Sequence, residues 1–194
     1  LQHIRWSGNW DTWVDDREFF LRHSEEMFSC FLPAIQESTS LKELHMELPF
    51  PGGPSNQALE NMLTHTQSLR SLYLRIPPRH IAVAAASSGL KRNTTLRELT
   101  LEFSRGAATV FPILSGLHDH PLLRRLCLRG PALDLTGLEA LLQSETSKLT
   151  ELDIGRNYGS QYIGLPLVLR ALAQRPTLTK LGLRYCPLGC DEAR

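Results

Sequence analysis

Two groups of side chains in this 194-residue chain are of types that could carry out chemistry. One is the set of four cysteines, Cys30, Cys127, Cys186 and Cys190, and the other is the His-Asp-His triplet at 118–120. The cysteines include no CxxC pair for zinc or redox chemistry, and the triplet has no third His, Cys or Glu at ligand spacing. We therefore predict free thiols in a reducing compartment, a polar turn at 118–120, no metal and no cofactor.

Charge and motif content exclude several classes of function. The 21 Lys and Arg residues against 20 Asp and Glu residues leave a net charge of +1, which cannot generate the field of a polybasic nucleic-acid-binding protein. No run approaches the roughly 18 apolar residues of a membrane-spanning helix. No Walker loop, GxSxG or HExxH motif occurs, so we predict that the chain is not an enzyme.

The elements that must position any functional side chain are indicated by an internal repeat. An LxxLxL pattern recurs six times, and successive first leucines are 28, 27, 27, 26 and 29 residues apart. The six copies begin at Leu41, Leu69, Leu96, Leu123, Leu149 and Leu178, and a degenerate seventh copy begins at Leu1. Such regular spacing predicts one structural unit repeated along the chain.

Each copy has the pattern of a strand followed by a helix. The last apolar positions of LxxLxL alternate with polar ones, which is typical of a short strand with one buried face. Between copies, apolar residues follow i, i+3, i+4 spacing, as at Leu59, Met62 and Leu63, which is typical of an amphipathic helix. Stacked copies would share a leucine core, so we predict a right-handed α/β solenoid with a parallel concave sheet and convex helices.

The pattern LxxLxL followed three positions later by Asn or Cys resembles the leucine-rich repeat, and the 26–29-residue period with helices resembles its ribonuclease-inhibitor-like subfamily. The best matches are residues 149–157 (LTELDIGRN) and 178–186 (LTKLGLRYC). Four middle copies depart from the family and carry other residues at the Asn or Cys position: Pro49, Pro77, Ser104 and Pro131. The resemblance implies one domain over 1–194 with about six to seven repeats. Neither end carries the polar cap that such stacks need, so we expect a section of a longer protein or an unusual cap.

In such a fold the third, fifth and seventh positions of each copy face the concave side, where charges alternate in sign between copies. We predict the ion pairs Glu47–Arg75, Arg75–Glu102 and Glu102–Arg129 between neighbouring strands. They form either a self-satisfied structural ladder or a mixed-charge docking surface, and the two are compatible. Tyr73 beside Arg75 is a combination that anchors protein interfaces. The predicted partner-binding residues are His45, Glu47, Tyr73, Arg75, Glu102, Arg129, Asp153 and Arg184.

Cys127 and His45 are the nucleophile-like and base-like groups of this face. They lie three strands apart, about 14 Å at the spacing of a sheet, which is beyond the reach of a catalytic Cys–His pair. We therefore interpret Cys127 as a small, inert filler.

The second position of four consecutive copies carries one sign of charge: Lys42, Arg70, Arg97 and Arg124. This basic rim is either a solvated edge or a contact for an acidic segment of a partner. Residues 1–40 form an atypical, aromatic-rich first repeat with an insertion that contains Trp10 and Trp13. These two side chains either pack over the end of the solenoid or contact a partner.

The resemblance implies a non-catalytic scaffold that binds a protein partner through the concave strand face. The same repeat type occurs in a GTPase-activating protein, in ubiquitin ligases, in immune receptors and in bacterial effectors, so an enzyme-regulatory or ligand-sensing role is the alternative. A GTPase-turnover assay would distinguish a regulator from a pure binder. We expect no nucleic acid, membrane or small-molecule cofactor as partner, and a cytoplasmic location rather than secretion unless the chain is a host-targeted effector.

Overall fold

A computed structural model describes residues 2–6, 28–47, 53–76, 80–103, 108–130, 133–134, 137–155, 169, 172–173 and 177–183. Within them the chain is an α/β protein in which parallel strands alternate with helices. The strands are β1 (His3–Trp6), β2 (Glu43–Glu47), β3 (Ser71–Ile76), β4 (Glu98–Phe103), β5 (Ala108–Thr109), β6 (Arg125–Arg129), β7 (Leu133–Asp134), β8 (Glu151–Asp153) and β9 (Lys180–Gly182). The helices are α1 (28–37), α2 (Gly53–His65), α3 (His80–Arg92), α4 (Phe111–Leu117) and α5 (Leu138–Gln143).

The main sheet confirms the register that the repeat predicts. Its seven strands follow chain order, β1-β2-β3-β4-β6-β8-β9, and every neighbouring pair is parallel. The fourth positions of the seven copies lie side by side across it: Ile4, Leu44, Leu72, Leu99, Leu126, Leu152 and Leu181. One-residue slips would turn these side chains to the opposite face, so the leucine pattern is what fixes the pairing.

The leucines of the strands and the apolar stripes of the helices form one buried cluster. On α2, the predicted stripe of Leu59, Met62 and Leu63 is at most 1% exposed. On α5, Leu138, Leu141 and Leu142 are buried in the same way. Burial of a leucine side chain contributes about 1.5–3 kcal/mol, and this contribution recurs in the five copies that begin between Leu41 and Leu149. The helices therefore lie on the face of the sheet to which the leucines point.

The far edge of the sheet departs from this pattern. Leu181 of β9 occupies the same register position as Leu152, but its exposed fraction is 39%, whereas that of Leu152 is 1%. β9 is the last strand in the sheet order, and no other described element pairs with its outer side. The core therefore thins at this edge.

Polar side chains join three of the helices, α1, α3 and α4, to the strand that follows. Ser38, Asn93 and His120 all lie three residues before the first leucine of a copy. Each accepts a hydrogen bond from the N–H of that leucine, at 3.1 Å for Ser38 Oγ, 2.9 Å for Asn93 Oδ1 and 3.1 Å for His120 Nδ1. These leucine N–H groups lie between a helix and a strand, where no backbone ladder pairs them, so a side-chain acceptor satisfies each of them.

One feature of the fold was not predicted, and some of the predicted residues lie outside the described ranges. β5 and β7 form a separate two-stranded parallel sheet, and their two-residue length is too short for any periodic pattern. The four residues at the Asn or Cys position, and the insertion with Trp10 and Trp13, lie outside the described residues. Among the described helices, none has both the length and the apolar character needed to cross a bilayer.

Candidate functional site

The candidate site is the face of the main sheet opposite the helices, called here the polar face. Strand residues alternate between the two sides, so the third, fifth and seventh positions of each copy lie on this face while the fourth and sixth enter the core. Its rows follow the strand register: Glu43, Ser71, Glu98, Arg125, Glu151 and Lys180; then His45, Tyr73, Thr100, Cys127, Asp153 and Gly182; then Glu47, Arg75, Glu102 and Arg129.

The seventh-position row contains two of the three predicted ion pairs. Arg75 Nη1 lies 3.0 Å from Glu47 Oε1, and Arg75 Nε lies 3.8 Å from Glu102 Oε1. The prediction of a Glu102–Arg129 pair was wrong, because Arg129 pairs instead with Asp153, with Nη2 3.7 Å from Oδ2. Glu102 turns toward β3 because its Oε2 accepts a hydrogen bond of 2.9 Å from the Tyr73 hydroxyl. No ion pair of this row therefore joins β4 to β6 among the described residues.

The third-position row forms a longer ladder, which the sequence reasoning did not include among the site residues. Arg125 lies between two carboxylates, 3.9 Å from Glu98 and 3.3 Å from Glu151. Lys180 Nζ lies 2.7 Å from Glu151 Oε1, and this hydrogen bond is the main cause that lowers the pKa of Glu151. Alternating signs at the third position were the signal that could have identified it.

Aromatic rings occupy the centre of the polar face on β2 and β3. The rings of His45 and Tyr73 are stacked, with centroids 5.3 Å apart and an interplanar angle of 16°. Burial, and the hydrogen bond that its hydroxyl donates to Glu102, raise the pKa of Tyr73 to about 12. Tyr73 therefore stays neutral at physiological pH, with its ring held between His45 and the Arg75–Glu102 pair.

Cys127 has the environment of a structural thiol. Its side chain is 4% exposed, and Sγ lies 3.6 Å from Asp153 Oδ2, to which it donates. Burial and the neighbouring Asp153 carboxylate raise the pKa of Cys127 to about 11. The strand register places His45 three strands away, opposite Tyr73 on the next strand. The thiol is therefore protonated at neutral pH and has no basic partner in His45.

The triplet at 118–120 forms a polar turn in which the two histidines have different partners. His118 Nδ1 lies 3.0 Å from Asp119 Oδ1, and the Thr146 hydroxyl donates to the same carboxylate at 2.8 Å. His120 is 4% exposed, and its Nε2 lies 3.4 Å from Asn93 Oδ1. Burial lowers the pKa of His120 to about 4. Within the described residues, no group of three or more His, Cys, Asp or Glu could hold a metal ion.

The basic rim lies where the chain enters the sheet, at the N-terminal edge of four neighbouring strands. The backbone N–H groups of Arg70, Arg97 and Arg124 each donate to the carbonyl of the rim residue before them, at 2.8 Å. The Arg70 guanidinium donates to Thr95 O at 2.9 Å, and Lys42 Nζ lies 3.5 Å from Thr39 O. The four side chains therefore follow one another at strand spacing.

Three of the predicted site residues, Arg184, Trp10 and Trp13, lie outside the described residues, so their roles stay predictions. The other predicted face residues, from His45 to Asp153, share one side of the sheet. Comparison of the chain with protein-family models and with curated proteins finds no match in either.

Proposed function

We propose that this chain is a leucine-rich repeat solenoid, right-handed and similar to the ribonuclease-inhibitor-like subfamily, that recognises a protein partner through its polar face without catalysing a reaction. In this proposal the sheet is the concave inner wall of the solenoid and the helices are its convex outer side. The observation that carries it is the strand register, which places the third, fifth and seventh positions of successive copies in straight rows on a face that no described helix covers.

Side chains on the polar face are restrained by their neighbours, which supports a role in binding a protein partner. Arg75 pairs closely with Glu47, and Tyr73 stacks on His45 and donates to Glu102, so these groups have less rotamer freedom to lose on binding. Immobilising a free, long side chain at an interface costs about 0.5–1.5 kcal/mol. Tyrosine and arginine are also among the residue types that most often contribute a large share of the binding energy at protein interfaces. The centre of β2–β4 is therefore the proposed anchor of the interface.

The chemistry of the polar face supports a binding role rather than catalysis. The thiol of Cys127 is buried and has a pKa of about 11, so it is a poor nucleophile at neutral pH. Carboxylates pair Arg75, Arg125 and Arg129. Over its described residues the face therefore lacks the single sign of charge that a nucleic-acid backbone requires. A cytoplasmic protein partner is the proposed ligand.

The test compares a polar-face variant with a helix-side variant of equal size. The polar-face variant is Y73A/R75A/E102A, and the control Q57A/K91A/S115A changes three exposed residues on α2, α3 and α4. Each protein is immobilised and incubated with lysate of the source organism, and retained proteins are quantified by mass spectrometry. We expect at least one protein to be retained by the wild type and the control and reduced at least tenfold on the polar-face variant.

Retention profiles that are identical for all three proteins would contradict the proposal. A thermal melt of each variant separates loss of the surface from loss of the fold, because exposed substitutions change stability by about 0.5 kcal/mol or less. The polar-face variant removes partly buried ion pairs, so a lowered midpoint is acceptable provided that the protein is folded at the temperature of the binding step.

A further inference from the structure

We propose that the basic rim, Lys42, Arg70, Arg97 and Arg124, is a second contact that binds an extended acidic segment of the protein partner along the N-terminal edge of the sheet. This inference rests on the proposed function and adds the chemistry of the partner to it. Four neighbouring repeats each supply one cation to one edge, and this edge differs in charge from the rest of the polar face.

The rim has no negative charge of its own. The four segments that lead into the strands, 38–42, 66–70, 93–97 and 120–124, contain no Asp or Glu. Apart from the four cations they consist of leucine, proline, histidine and uncharged polar residues. The polar face next to them, in contrast, alternates carboxylates and cations on neighbouring strands.

In the part of the chain that the structure describes, the rim cations also form no ion pair with a carboxylate. Among the described residues, no carboxylate oxygen lies within ion-pair distance of Lys42, Arg97 or Arg124. Glu43 and Glu98 directly follow two of these residues in sequence, but they lie on the polar face and pair there with His3 and Arg125. The Arg97 and Arg124 side chains are exposed, so their charge is available to a ligand.

The geometry of the rim fits an extended peptide. Adjacent strands are about 4.8 Å apart, so the four cations span roughly 14 Å, the length of about four to five extended residues. Three of the four are arginines, whose guanidinium groups bind carboxylates through two parallel hydrogen bonds. Arg70 donates one hydrogen bond to Thr95 O, and a guanidinium group has five N–H donors in all.

An acidic peptide fits better than a nucleic acid or a lipid surface because the positive strip is one residue wide. Next to it lie Glu43, Glu98 and Glu151, which would repel a polyanion that spread beyond the edge. A peptide segment can confine its own carboxylates to the rim and place basic or neutral residues next to the glutamates of the polar face. Continuous phosphate backbones cannot do this.

The test uses a fluorescein-labelled octaglutamate peptide and measures fluorescence anisotropy from 20 to 300 mM salt. The rim variant K42Q/R97Q/R124Q retains Arg70, which stabilises the neighbouring loop. The matched control K91Q/R92Q/K148Q removes three exposed cations elsewhere, so both variants change the net charge equally. We expect the rim variant to bind at least tenfold more weakly than the wild type at low salt and with a smaller salt slope, and the control to differ less than threefold.

Equal weakening in both variants, or unchanged binding by the rim variant, would overturn the proposal. Two other probes, an eight-nucleotide oligothymidylate and phosphatidylserine vesicles, test the choice of an acidic peptide. If the wild type bound either of them more tightly than the peptide, and the rim variant did not bind it, that choice would be overturned. The polar-face variant Y73A/R75A/E102A separates this inference from the proposed function. If the polar-face variant binds the peptide but no longer captures the partner, both proposed surfaces are supported. If the wild type does not bind the peptide, the proposal for the rim is refuted and the proposed function is not.

Discussion

At the level of single residues, chemically different side chains make the same hydrogen bond ahead of three strands of the main sheet, β2, β4 and β6. Ser38, Asn93 and His120 each accept from the leucine N–H three residues later. His120 can accept at Nδ1 only while it lacks a proton there, and its burial lowers its pKa to about 4. The sequence shows that these residues are polar and lie before a strand, but it does not show that Asn93 and His120 are buried.

His120 makes stability depend on pH in the range between its two pKa values. From pH 6.5 down to about 4 the unfolded chain binds a proton at this residue that the folded chain does not, so the free energy of unfolding falls as the pH is lowered. The loss reaches on the order of 2–3 kcal/mol at the lower end. We expect His120→Asn, which copies Asn93, to remove this part of the pH dependence.

The measurement is urea unfolding of the wild type and the variant at several pH values between 4 and 7. His118→Asn is the control, because it changes the exposed histidine of the same turn and leaves His120 in place. Parallel curves of stability against pH for the wild type and His120→Asn would show that His120 is not the group responsible.

At the level of elements, neighbouring helices pack closely where one of them has a glycine. A Cβ at Gly89 of α3 would lie 2.6 Å from Leu63 Cβ and 3.0 Å from Glu60 O on α2. Asn93 Nδ2 at the end of α3 donates to Leu63 O at 2.6 Å and joins the same helices. The apolar stripes predicted the helices, but a single glycine in a helical segment did not reveal which neighbour approaches it.

Gly89→Ala tests this close approach. Alanine favours a helix over glycine by about 1 kcal/mol, so an open site would be stabilised by the substitution. Here we expect the variant to be less stable by about 1–3 kcal/mol, since the contact with Glu60 O involves backbone that cannot move independently. Lys91→Ala, exposed on the same helix, is the control for urea unfolding and should change stability by less than about 0.5 kcal/mol. A stabilised Gly89→Ala protein would contradict the described packing.

At the level of the whole molecule, the repeat predicted the sheet but not every contact on it. The LxxLxL spacing gave the strand order and the register, because a two-residue period and a shared core allow one alignment. Side-chain partners were harder to predict. Glu102 has possible partners on both neighbouring strands, and it turns to β3 because it accepts a hydrogen bond from the Tyr73 hydroxyl, while Arg129 pairs with Asp153. The β5–β7 pair was missed because two residues give no period.

The leucine core should weaken from the centre of the sheet to its far edge. Leu99 and Leu181 occupy the same register position, but Leu99 is fully buried and Leu181 is 39% exposed. We expect Leu99→Ala to lower the free energy of unfolding by about 2–5 kcal/mol and Leu181→Ala by less than about 1.5 kcal/mol. Chemical denaturation of both variants measures the difference. Equal losses would show that the edge is as well packed as the centre.

Site-specific photo-crosslinking is the most direct measurement of whether the partner lies on the polar face. Benzoylphenylalanine replaces His45, which is exposed on the polar face, and in a second protein Lys91, which is exposed on α3. Both proteins are irradiated in the same lysate, and crosslinked products are identified by mass spectrometry. We predict a specific protein adduct at position 45 and none of that protein at position 91. An adduct of the same partner at position 91 alone, or equally at both positions, would contradict recognition through the strand face.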